Sequence, residues 1–181
     1  MADKQAPNSH KAVMEHLNSQ APRLSAKEKR ARTVARLVLV QALYQMEMSG
    51  SGAEEVALEF AEHRFSELPA DPDAEFFAAI VNGVPRHQVE IDRAIAASLS
   101  QKWKLERVDS ILRAILRCGV FELVVRKDVP AKVVIDEYVA VAGAFFGAEE
   151  PGFVNGALDT IARRKRAPEF GLPIPADELD F

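Results

Sequence analysis

Three features of this sequence predict an all-α fold. Apolar residues recur at a 3.6-residue period in every long segment between Ser25 and Arg166, and no segment forms a convincing strand run. Prolines and glycines fall mostly between the periodic stretches, where they act as breaks. The chain has 181 residues, 48% of them hydrophobic and 28% charged, which gives room for one domain and excludes a wholly disordered chain. No apolar run approaches the roughly 18 residues of a membrane span.

The first 24 residues are polar, lack a period and contain Pro7 and Pro22, so they are expected to be a flexible arm without a secretory signal. Ser25-Ala-Lys-Glu28 fits a capping box. The helix behind it carries Val34, Leu37, Val38, Gln41, Ala42 and Gln45 along one face and should end near Ser49-Gly50-Ser51-Gly52. A shorter helix is expected from Ala53 to about Phe65. Residues from about Asp73 to Ser98 read as one long helix kinked at Pro85, because proline removes an amide donor and clashes with the preceding turn. Ile111, Leu112, Ile115, Leu116, Val120, Leu123 and Val124 form the next stripe, ended by Asp128-Val-Pro130.

The β-branched run from Val133 to Val141 imitates a strand. It is too long for one, however, and Pro130 suits a helix first turn. A final helix is expected from about Phe153 to Arg164, after a loop at 147–152. Two Asn-Gly pairs, Asn82-Gly83 and Asn155-Gly156, fall inside predicted helices. They suggest two three-helix halves and close helix approach, since glycine in a helix costs about 1 kcal/mol against alanine. From Ala167 onward Pro168, Gly171, Pro173 and Pro175 predict a loose acidic tail, leaving 25–166 as the folded unit.

The chemistry expected of an enzyme is missing. There is no P-loop, GxGxxG, GxSxG or HExxH segment. The histidines at 10, 16, 63 and 87 do not pair with Cys118 at metal-ligand spacing, so no metal, cofactor or catalytic residue is expected. One cysteine forms no internal disulfide, which makes a reducing, cytoplasmic setting the default.

Charge is more informative. Net charge is −4, yet the segment from Arg23 to Arg36 carries +5, leaving −9 on the remainder. Such segregation suggests a local anionic partner. Lys29, Arg32 and Arg36 fall on one side of the predicted first helix, where guanidinium forks could hold phosphate oxygens. Tyr44, two turns beyond Arg36, could supply a stacking ring. The alternative is that this charge run is solvated surface.

The segment Ala31-Arg32 through Val40-Gln-Ala-Leu-Tyr44-Gln resembles the opening helix of the NusB family of transcription antitermination factors. So do Arg113-Ala-Ile-Leu-Arg117 with Phe121-Glu-Leu123, Asp128-Val-Pro130-Ala-Lys-Val133 with Ile135 and Glu137, and Phe153-Val-Asn-Gly156 with Leu158-Asp159. Order and spacing agree over about 140 residues, and neither tail takes part.

The resemblance implies a helical domain of two three-helix halves that binds the single-stranded boxA element of ribosomal RNA leaders. It also implies a small-subunit ribosomal protein, NusE, as partner, and joint loading onto elongating RNA polymerase with other Nus factors. Homodimers occur in some relatives, so oligomeric state stays open. Arg32 and Arg36, with Lys29 beside them, carry over as RNA contacts. Phe153 and Glu149 lie by the RNA surface in this family. Asp109, Leu112 and Arg113 carry over to the ribosomal-protein interface.

Several positions depart from the family pattern. Gly152 and Gly143 stand where relatives often carry lysine, and Leu112 where they often carry an acid. Two other readings remain open. One is a protein-binding adaptor without RNA binding. The other is the N-terminal domain of a ribosomal-RNA cytosine methyltransferase, whose catalytic domain is not in these residues.

Overall fold

The computed structural model describes residues 23–178. Among them are seven α-helices and no strand: α1 Ala26–Ser49, α2 Ala53–Glu59, α3 Ala74–Arg86, α4 Gln88–Ser98, α5 Ser110–Val124, α6 Ala131–Phe145 and α7 Glu149–Lys165. The arm expected over 1–24 lies outside the described residues as far as residue 22.

Helix α1 starts as its capping box dictates. The Glu28 amide donates to Ser25 Oγ at 3.2 Å, and the Ser25 amide donates to Glu28 Oε2 at 2.7 Å. It stops at Gly50, whose φ of +72° is the left-handed cap that glycine adopts freely. The helix expected from 53 to 65 is regular only to Glu59. It then widens into a π turn, Phe60–Arg64, and tightens into a 3₁₀ turn, Phe65–Glu67.

The long helix expected over 73–98 is two helices. Asp73 caps α3 by accepting from the Phe76 amide at 3.0 Å, and the chain leaves helical geometry at His87, two residues after Pro85. The final helix begins at Glu149, four residues earlier than expected, because Pro151 falls in its first turn, where a missing amide costs nothing.

Helices α1, α2 and α3 pack on one another, as do α5, α6 and α7. The break at His87 lets α4 join the second group, against α5 and α7. Helix α5 lies at the centre and touches α1, α3, α4, α6 and α7. Its small residues allow this. A Cβ on Gly119 would sit 2.9 Å from a Leu158 methyl. On α3, a Cβ on Gly83 would sit 2.3 Å from the Phe121 ring. Of the two Asn-Gly pairs only Gly83 marks a close approach, since Gly156 faces open space.

The tail expected to be loose from Ala167 packs over its first four residues, which is a correction for Ala167–Phe170. Arg166 is buried and donates to the Val129 carbonyl at 2.7 Å and the Leu123 carbonyl at 3.2 Å. Ala167 is buried too, and a 3₁₀ turn runs over Ala167–Phe170. Glu169 pairs with Arg166 and accepts from the Ala131 amide at 2.7 Å, capping α6, whose own N-cap residue Pro130 offers no side-chain acceptor.

Candidate nucleic-acid interface

The inner stripe of α1 is Ala35, Val38, Leu39, Ala42 and Leu43, one position off the expected face, and Arg36 lies within it. Arg36 is 3% exposed. Its Nε and Nη2 donate to the two oxygens of Glu122 on α5, both at 2.8 Å, and Nη1 lies 3.3 Å from Glu137 on α6. Glu122 is fully buried and also accepts from the Tyr138 hydroxyl at 2.7 Å. Burial opposes a charged guanidinium, but the Glu122 carboxylate outweighs it and raises the Arg36 pKa above its ordinary value. Burial, then the Glu122 charge, push the Tyr138 hydroxyl and the Cys118 thiol upward, so both stay protonated. Arg36 is therefore spent inside the core. Its expected role as a phosphate ligand is a correction.

Arg32, one turn earlier, sits at the rim. Its Nε and Nη1 each lie 3.4 Å from a carboxylate, Asp73 and Asp128 respectively. Arg126 holds Asp128 from the other side at 3.0 and 3.2 Å and keeps that carboxyl below the usual range. Three guanidiniums thus surround the Phe76 ring, with Arg32 and Arg36 at 4.9 Å and Arg126 at 5.2 Å from its centroid. Lys29 is exposed on the same end of α1, as are Lys27 and Arg30. Exposed positive charge at a helix N-terminus suits an anion.

The remaining expected RNA residues lie towards the other end of α1. Tyr44 is 38% exposed and lines an apolar groove of about 430 Å³ with Val40, Met48, Phe60, Ile111 and Phe145. Glu149 is exposed in the first turn of α7, and Phe153 is half-buried. A Cβ on Gly143 would approach Pro151 at 4.0 Å, so the end of α6 and the start of α7 are neighbours. Along α1, Lys29 and Tyr44 are roughly 22 Å apart, at 1.5 Å per residue. The expected site residues therefore form two patches: Lys29 and Arg32 at one end, Tyr44 at the other. Phe153 meets a ring the motif search passed over: Trp103, whose centroid lies 5.8 Å away.

The expected ribosomal-protein residues are mostly occupied. Asp109 is the N-cap of α5, accepting from the Ile111 and Leu112 amides at 2.8 and 3.2 Å. Leu112 is 8% exposed and belongs to the core, which corrects its placement at an interface. Arg113 pairs with Glu47 on α1 and donates to the Leu105 and Val108 carbonyls at 3.1 and 2.8 Å. Arg117 lies 3.1 Å from the same Glu47 and 2.8 Å from Asp92. These cations join helices, and only the flank of Asp109 is exposed.

Sequence reasoning missed Glu122, Glu47, Arg126 and Trp103. Glu122 carried a signal: it is the only carboxylate in the run from Ile111 to Val125. Among the described residues no group of three or more His, Cys, Asp or Glu could hold a metal, and no helix is long and apolar enough to cross a membrane.

The comparisons with known proteins agree with this architecture. The NusB family model matches residues 33–163. The chain is 54% identical to the transcription antitermination protein NusB of Maricaulis maris over 146 residues, covering 78% of this chain and 91% of that protein. It is 53% identical to the one of Caulobacter vibrioides, covering 75% and 94%. The structure of T. maritima NusB superposes with a TM-score of 0.65 at 30% identity, covering 78% of this chain and 97% of that one. A structure of the antitermination factors NusB and NusE in complex with double-stranded RNA superposes with a TM-score of 0.65 at 28% identity, covering 74% and 97%. With that match over most of its length and through all seven helices, the chain belongs to the NusB family.

Proposed function

We propose that this protein is a non-enzymatic transcription antitermination factor that binds boxA-type single-stranded RNA of ribosomal RNA leaders together with NusE. The pair then joins the elongating RNA polymerase with other Nus factors. The observation that carries this reading is the identity of more than half of the aligned residues with antitermination proteins matched over nine-tenths of their length. A solved relative bound to both NusE and RNA supports the partner classes.

Phosphate contact falls to the exposed end of α1, with Lys29 and Arg32 as its main cations. Arg36 supports them from below by anchoring α1 to α5. Tyr44 forms the second patch and Phe153 stands against Trp103, and a single strand laid along the surface would reach both. Asp109 is the remaining candidate contact for the ribosomal protein.

The test is a titration of labelled boxA RNA and of a permuted strand, with and without purified NusE, followed by anisotropy. Preference for boxA that strengthens with NusE is the expected result. Equal binding of both strands would remove the boxA assignment, and no binding of either would remove the RNA role.

A further inference from the structure

We propose that Trp103 is a base-stacking residue of the RNA surface, presented on Phe153 and flanked by the cations of its own loop. This rests on the RNA-binding reading above and deepens it.

An indole offers 150–250 Å² of apolar surface, so leaving it in water is a cost that packing normally removes. Trp103 is 55% exposed. Its ring meets Phe153 at 5.8 Å between centroids with the planes tilted by 53°, which supports the indole without covering it. Nor is its loop free to fold the ring inward. The Trp103 amide donates to the Ser100 carbonyl at 2.9 Å, Leu105 and Val108 are buried, and Arg113 holds both their carbonyls. The loop backbone is thus anchored with the indole facing outward against Phe153, which lowers the ordering cost to a ligand.

Charge selects the ligand. Outside the first helix the chain is acidic, yet Ser100 to Val108 carries +2, with Lys102, Lys104 and Arg107 exposed against Glu106. Facing carboxylates are Glu149 and Glu150, which open α7 four and three residues before Phe153. An exposed ring between lysines is what a single strand needs: a π-face for a base and cations for the flanking phosphates. A protein partner seated on the same patch would instead bury the indole without a base against it.

Trp103 is the only tryptophan in the chain, so its emission reports on this site alone. Single-stranded boxA RNA is titrated into the intact protein, with anisotropy of the labelled strand reporting binding and tryptophan emission reporting stacking. Emission should be strongly quenched in step with binding. Trp103→Ala should weaken binding about 5- to 100-fold, equivalent to about 1–3 kcal/mol. Trp103→Phe should restore most of it, and melting should be nearly unchanged in both. RNA that binds without altering emission overturns the assignment while leaving the RNA role standing. Failure to bind RNA at all overturns both. An emission change on adding NusE without RNA, with none on adding RNA, assigns the ring to the protein interface and overturns the proposal.

Discussion

Arg32 and Arg36 lie one turn apart on α1 and do opposite work, and the difference is measurable. Arg36→Ala strands the buried Glu122 carboxylate with a single hydroxyl donor. Removing one partner of a buried pair costs about 3–5 kcal/mol, so urea unfolding should shift by that much. Arg32→Ala breaks two rim ion pairs and one contact with the Phe76 ring, each worth about 0–1 kcal/mol. It should instead lower the salt slope of RNA binding by about 0.7, one phosphate contact, in a titration across ionic strength. Helical spacing puts both arginines near one side of α1 and cannot say which is inside, because that depends on a carboxylate 86 residues away. Glu47 gives a pH test. Hydrogen bonds from Arg113, then burial opposing them, then the charges of Arg113 and Arg117, leave its carboxyl below the usual range. A carboxyl depressed in the folded state stabilises above its unfolded pKa, and that stability is lost as pH falls through the folded value. Glu47→Gln should therefore destabilise at about pH 7, and the effect should shrink progressively as pH falls below the ordinary glutamate range, read as the difference in urea midpoints.

At the scale of elements, local rules were legible and distances between helices were not. The Ser25–Glu28 capping box, the Gly50 stop and the disruption after Pro85 are decided within a few residues, and the sequence shows them. The π turn at Phe60–Arg64 was invisible, since it answers to packing: Phe60 stacks on Phe77 of α3 at 5.8 Å. The Asn-Gly pairs make the same point. Gly83→Ala would force the Phe121 ring to move and should destabilise by about 1–3 kcal/mol in thermal or urea unfolding. Gly156→Ala meets open space inside a helix and should stabilise by about 0.5–1 kcal/mol by the same measurement. Identical dipeptides thus give opposite signs, and only the neighbouring helix decides which.

For the whole molecule, the domain extends past the span that the family match covers. Arg166 and Glu169 lie beyond residue 163, yet they fasten the segment between α5 and α6, the segment that carries Asp128 against Arg32. Ending the chain after Lys165 would leave the Ala131 amide and the Val129 carbonyl without these partners. Each buried group left unmet costs about 1–3 kcal/mol, so the melting temperature should fall by several degrees. Ending it after Leu172 keeps the fastening and loses the Arg164–Asp177 pair, whose partners are both mostly exposed. Melting should then barely change. The prolines and glycine of this stretch rule out a long helix, as the sequence indicates. They say nothing about whether a non-helical segment packs.

The separation of Arg36 from Glu122 also has a consequence in time. A ribosome adding about 5–20 residues per second delivers the arginine about 4–17 s before its carboxylate. Helix α1 can wind during that interval, having 24 residues and its own cap. Its inner face, however, holds a charge whose carboxylate has not yet arrived, and α2 and α3 cover only part of its apolar stripe. Because α5 contacts five other helices, its arrival completes the inner face of α1 and provides the surface on which α6 and α7 then pack. Nascent chains stalled before Glu122 should be cut by protease along their whole length, and those stalled well beyond it should show a resistant core.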